Sequence, residues 1–93
     1  ATGRGYNFYI VNNSDNPIFV SLSQDGRQVC SKELGTGWTS DTVNCKTESY
    51  DGRAHTYRLD IVYRDGSSTY RQGTSASREI GFTVTNFDVK FTG

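Results

Sequence analysis

His55 is the only histidine in the chain, and it stands beside Arg53 and Ala54 just ahead of an alternating apolar run. One imidazole, one carboxylate and one arginine make a minimal set for nucleolytic chemistry. His55 with Glu48 or Glu79 and Arg53 or Arg78 is the assembly the sequence offers. A Ser-His-Asp triad needs a nucleophile on a strained turn and an oriented base. Serine is abundant, but no Gly-x-Ser-x-Gly occurs. A glycosidase pair would draw on acids such as Asp25, Asp51 and Asp65, which turn geometry already explains. Gly35-x-Gly37 runs into Trp38 and polar residues, not into a helix, so it is a loop and not a phosphate cradle. Two cysteines and one distant histidine do not fill a tetrahedral metal shell, and no EF-hand spacing occurs. The expectation is a protein that is not an enzyme, with no catalytic residue, metal or cofactor.

Residues suited to binding are easier to name. Trp38 lies in a Gly-rich loop flanked by Lys32, Glu33 and Asp41. Such a ring can anchor a protein contact or stack on a sugar, or it can fold inward as core. Tyr50 and Arg53 bracket Asp51-Gly52 and combine rigid aromatic area with a directional donor. Arg58, Arg64 and Arg71 form an expected stripe on the outer face of a long hairpin, with Asp60 and Thr69 beside them. Asn12-Asn13-Ser14 is a glycosylation sequon at Asn12.

The elements that must position these residues read as strands. Apolar residues alternate, and turn signals separate the runs. Tyr6, Phe8 and Ile10 share one face of a first strand, and Ile18, Val20 and Leu22 one face of a second. Asp25-Gly26 signals a type I′ hairpin, with Leu22 opposite Val29 in a third strand over residues 27–32. A fourth is expected over 41–46. A long strand over 55–64 turns at Asp65-Gly66 into 67–71, with Ile61 opposite Tyr70 and Asp60 opposite Arg71. Residues 72–78 read as loop. Residues 79–91 close the chain as one element whose apolar phase changes at Thr85-Asn86, through a bulge or through burial on both faces. The predicted fold is all-β: a small antiparallel β-sandwich or barrel of about six strands, one domain over residues 1–93.

Composition sets the compartment and the partners expected. Only 33% of the residues are hydrophobic, so six Tyr, five Phe and one Trp must build much of a thin core. Ten basic residues balance ten acidic ones, which gives no steering toward nucleic acid or an anionic membrane. No stretch is long and apolar enough to span a bilayer. Cys30 and Cys45 suggest one disulfide in an oxidising compartment. The bridge would close a loop of about fifteen residues, worth about 3 kcal/mol on the chain-entropy estimate. The chain begins with Ala, which fits a secreted precursor whose signal peptide has been removed.

In layout the chain resembles the small single-disulfide β proteins that fungi secrete, some of them plant-directed effectors and some antimicrobial toxins. One such effector group has a six-stranded sandwich, but its paired cysteines lie farther apart than Cys30 and Cys45, and no functional residue is carried over. The resemblance implies a virulence or toxin role. The leading expectation is a secreted, extracellular, non-enzymatic binding protein acting on a host or competitor protein. A carbohydrate-binding or cell-wall module comes second, and a hydrolase inhibitor presenting a disulfide-clamped loop third.

Overall fold

The computed structural model describes residues 5–37, 39–40 and 49–93. Its strands are β1 (Asn7–Asn12), β2 (Ile18–Gln24), β3 (Arg27–Leu34), β4 (Thr39–Ser40), β5 (His55–Val62), β6 (Ser68–Ser75), β7 (Glu79–Val84) and β8 (Val89–Thr92). They form two sheets, ordered β4-β1-β7-β8 and β3-β2-β5-β6. The sheets are not closed into a barrel, so the architecture is an open sandwich. One pairing departs from the antiparallel expectation: β1 runs parallel to β7, from Asn7 beside Glu79 to Asn12 beside Val84. The expected strand over 41–46, together with Trp38 and Cys45, lies outside the described residues.

The inward phase of each strand makes the core. Phe8 and Ile10 of β1, Val20 and Leu22 of β2, Leu59 and Ile61 of β5, and Ile80, Phe82 and Val84 of β7 are all buried. Period-two alternation put these residues on one face, and facing the second sheet removes that face from water. Cys30 is half-buried against this core. The expected Cys30–Cys45 bridge falls on Cys45, and no free cysteine is found among the described residues.

Three local expectations are corrected. First, Asp25 and Gly26 take the positive φ values of a type I′ turn, 53° and 86°. Beyond it the ladder slips between Leu22 and Ser23, so Leu22 faces Cys30, with Val29 the extra residue of a bulge, and β3 continues to Leu34.

Second, the β5–β6 connection has three residues, not two. Gly66 N–H donates to Tyr63 O at 2.9 Å, Tyr63 N–H donates to Ser67 O at 2.8 Å, and Gly66 alone in the turn takes positive φ, 91°. The Asp65 carboxylate accepts the Ser67 N–H at 2.9 Å and its hydroxyl at 2.6 Å, which fixes that geometry. The register moves by one residue: Ile61 faces Thr69, Asp60 faces Tyr70, and Leu59 faces Arg71. The strand also continues to Ser75 through residues expected as loop.

Third, the phase change near Thr85 is neither a bulge nor a strand buried on both faces. It is a hairpin turn between β7 and β8, in which the Thr85 Oγ1 accepts the Phe87 and Asp88 N–H groups.

Asn12 is fully buried, and its side chain is saturated. Its Nδ2 donates to Asn16 O at 3.0 Å and Leu34 O at 3.1 Å, while Oδ1 accepts the Ser14 N–H at 3.0 Å and the Ser14 hydroxyl. Asn12 fits the sequon as a possible site, but in the folded protein both hydrogens of its amide nitrogen are already donated and the side chain is buried, which leaves no room for a glycan there.

Candidate binding face

The strands carry the sequence-predicted arginines to different places. Arg58 points outward from β5, exposed, with Asp60 two residues along on the same face. Arg71 shares the inner face of Leu59 but stays exposed because β6 is an edge strand. Arg64 lies in the turn beyond β5. The stripe therefore breaks up, and Arg58 alone of the three stays on the outer face of a strand.

Around Arg58 the outer face of the β3-β2-β5-β6 sheet is ordered. The Asp60 Oδ1 accepts from Arg58 Nε at 3.1 Å and Nη2 at 3.0 Å. So held, the guanidinium covers the Tyr70 ring, with its carbon 4.0 Å from the ring centroid. Tyr70 is the cross-strand partner of Asp60, so the register correction is what brings this trio together. In the next outward row, roughly 7 Å along the strand, Phe19 faces Val62, and both are about half exposed at 48% and 44%. Pro17, Glu33, Tyr63 and Arg64 border a shallow depression beside that pair. Ser21 and Ser31 continue the Asp60–Tyr70 row across β2 and β3. The surface is thus an aromatic–cation stack and an apolar pair on a rigid sheet, with opposite charges at its rim.

The other sheet presents a smaller feature. Tyr9, Gly81 and Thr92 are neighbours across β1, β7 and β8, and the missing side chain at Gly81 leaves a shallow depression beside the Tyr9 ring.

A polar cluster sits where β1 begins and β2 ends. His55 Nδ1 lies 2.5 Å from Asp25 Oδ2, and its Nε2 lies 2.9 and 3.1 Å from the two Asp51 oxygens. The Tyr6 hydroxyl donates to Asp51 Oδ1 at 3.0 Å. Thr56 N–H and Arg53 N–H hold Asp25 and Asp51 in turn, each at 2.9 Å. The Asp25 bond, then the Asp51 bond, raises the His55 pKa above its ordinary value. Asp51 is lowered to about 2, chiefly by the Arg53 N–H and then by His55. Tyr57, buried below, is pushed up to about 12 by desolvation, and its hydroxyl accepts from Gln24 Nε2 at 3.1 Å. While it is protonated, an imidazole with a carboxylate at each nitrogen donates to both and has no lone pair to serve as a base.

The cluster differs from the expected nucleolytic assembly in the carboxylates it places on His55. His55 meets Asp25 and Asp51. Glu79 instead opens β7, Arg78 Nε donates to Gly5 O at 2.9 Å, and Glu48 lies outside the described residues. Tyr50 and Arg53 flank Asp51 in the loop, where the Tyr50 hydroxyl donates to Ala76 O at 2.9 Å. Sequence reasoning missed Tyr70, Phe19 and Val62 as surface residues. The available signal was apolar residues in the outward phase of β2 and β5.

Comparison of the chain with protein-family models, with curated proteins and with solved structures finds no match.

Proposed function

We propose that the chain is a non-enzymatic binding protein, secreted and effector- or toxin-like, that contacts an extracellular or host protein through the outer face of the β3-β2-β5-β6 sheet. The observation that carries this reading is the Arg58–Tyr70 stack held by Asp60 next to the exposed Phe19–Val62 pair. Arg and Tyr are enriched at binding hot spots, and side chains fixed before contact lose less entropy on binding. The rim charges Glu33 and Arg64 add orientation without a net field.

The test compares wild type with Tyr70→Ala, Arg58→Ala and Phe19→Ser, each checked for folding by circular dichroism. Immobilised protein is exposed to extracellular protein extracts, with Tyr9→Ala as the control on the other sheet. Capture lost in the three face variants and kept in Tyr9→Ala supports the reading. Capture equal in all variants overturns it.

A second reading, a carbohydrate-binding or cell-wall module, is favoured by Tyr9 beside the Gly81 depression, where an aromatic ring flanks an open notch. Binding to soluble glycans that Tyr9→Ala abolishes and Tyr70→Ala leaves intact would select it. The hydrolase-inhibitor reading depends on the segment from Cys30 to Cys45, of which Trp38 and residues 41–45 lie outside the described residues.

A further inference from the structure

Asp25 and Asp51 reach His55 from two separate segments. Asp25 opens the β2–β3 turn, and Asp51 belongs to the loop over residues 49–53. Each carboxylate faces a different ring nitrogen. Only the imidazolium carries an N–H on both nitrogens, so only that form donates to both partners. The neutral ring must turn a lone pair toward one carboxylate, which replaces an ionic hydrogen bond with repulsion.

The two sides are not equally anchored. Asp25 is fixed by the Thr56 N–H, adjacent to His55 in the chain, and its own N–H donates to Thr56 O at 2.8 Å. Asp51 is held by its own loop through the Arg53 N–H, and by the Tyr6 hydroxyl. The contact to Asp51 is therefore the one that gives.

We propose that Asp25, His55 and Asp51 form a proton-operated latch: protonated His55 holds the 49–53 loop against the β2–β3 turn, and loss of the proton releases Asp51 and loosens that loop. Arg53 rides on the latched loop, so its presentation follows the state of His55, while the Tyr50 hydroxyl keeps its own bond to Ala76 O. The inference is independent of the outer sheet face.

The groups around the ring are consistent with this. Tyr6, ahead of β1, lies edge-on to His55 at 5.8 Å, and Tyr57 of β5 at 6.4 Å. Tyr50 stands behind Tyr6 at 5.4 Å. Burial raises the pKa of Tyr6 and of Tyr57, so both phenols stay neutral while His55 titrates. The two carboxylates are the charges that the ring answers to.

The test is a pH titration of the full chain by NMR, following the His55 ring and the amides of residues 49–53. The expected result is a His55 midpoint above that of a free imidazole. The loop amides should shift with the same midpoint and lose hydrogen-exchange protection above it, while Leu59 and Ile61 remain protected. His55→Gln should abolish the pH-linked change in the loop. Asp51→Asn should lower the His55 midpoint and uncouple the loop, and it serves where His55→Gln does not fold. Loop amides that ignore the His55 titration, or a His55 midpoint at or below the free value, overturn the proposal.

Discussion

Phe91 lies against Gly73, so that a β-carbon on Gly73 would fall 2.3 Å from Phe91 Cδ2 and 2.5 Å from Cε2. Gly73 faces Tyr57 in the β5–β6 ladder, and Phe91 belongs to β8 on the other sheet. Phe91 also packs on Phe82, with ring centroids 5.3 Å apart. The ring closes the side of the sandwich between its two edge strands, and Gly73 is the residue that lets it approach.

Gly73→Ala should therefore destabilise the fold, by about 1–3 kcal/mol for overpacking at a fitted contact. Denaturant unfolding measures it. Phe91→Ala should also destabilise, and the double variant should lose less than the two added together, because the small residue makes room for the methyl group. A Gly73→Ala protein as stable as wild type would refute the contact.

Asn12→Ala should cost about 3 kcal/mol or more. It takes the Asn12 partner from the Leu34 carbonyl and the Ser14 N–H in a buried place, and each such loss carries a penalty of about 1–3 kcal/mol, while the Ser14 hydroxyl and the Asn16 carbonyl keep each other at 2.9 Å. Asn12→Asp should cost as well, since a carboxylate cannot donate to those carbonyls. Thermal melting of both variants is the check. Secretion from a glycosylating host should yield folded protein with no glycan mass on Asn12, and an occupied Asn12 in folded protein would contradict the burial.

The core was largely legible in the sequence, and the outer surface much less so. Tyr6, Phe8, Ile10, Ile18, Val20 and Leu22 took their expected faces because two-sheet burial rewards strict alternation. The β5–β6 register was not legible, because an Asp-Gly pair serves both a two-residue and a three-residue turn, and the Asp65–Ser67 bonds decide between them. That single step exchanged Tyr70 and Arg71 between faces and so created the Arg58–Tyr70 stack. The partners of His55 were hidden for another reason. Asp25 and Asp51 satisfy local turn rules, and only the fold of the two segments places both beside one ring. The parallel β1–β7 pair joins segments about seventy residues apart, which no local pattern encodes.

Reduction should destabilise the protein by about 3 kcal/mol if Cys30 pairs with Cys45, as expected for a loop of about fifteen residues. Alkylation of the unreduced, denatured chain followed by intact mass should find no reactive thiol. Two alkyl adducts without reductant would end the disulfide expectation. A Cys30→Ala, Cys45→Ala variant should show the lower midpoint with or without reductant, which separates the bridge from other effects of the reagent.

Stability should be greatest in mildly acidic solution. Backbone and side-chain donors hold the Asp25, Asp51 and Asp65 carboxyls below their ordinary range: chiefly the Thr56 N–H at Asp25, the Arg53 N–H at Asp51 and the Ser67 hydroxyl at Asp65. A lowered folded pKa contributes stability above the unfolded value, about 3.9 for Asp. That stability is lost as pH falls through the folded values, the lowest of them about 2 at Asp51. His55 works the other way. Its pKa is raised by Asp25 and Asp51, so its contribution is complete below the unfolded value, about 6.5, and is lost as pH rises through the folded one. The melting temperature should hold a plateau from about pH 4 to 6.5 and fall on both sides. His55→Gln should flatten the alkaline fall and leave the acid limb in place, whereas Asp65→Asn should reduce the acid limb alone. A wild-type melting temperature that stays level or climbs between pH 6.5 and pH 9 would show that the His55 ion pairs add nothing to the folded state.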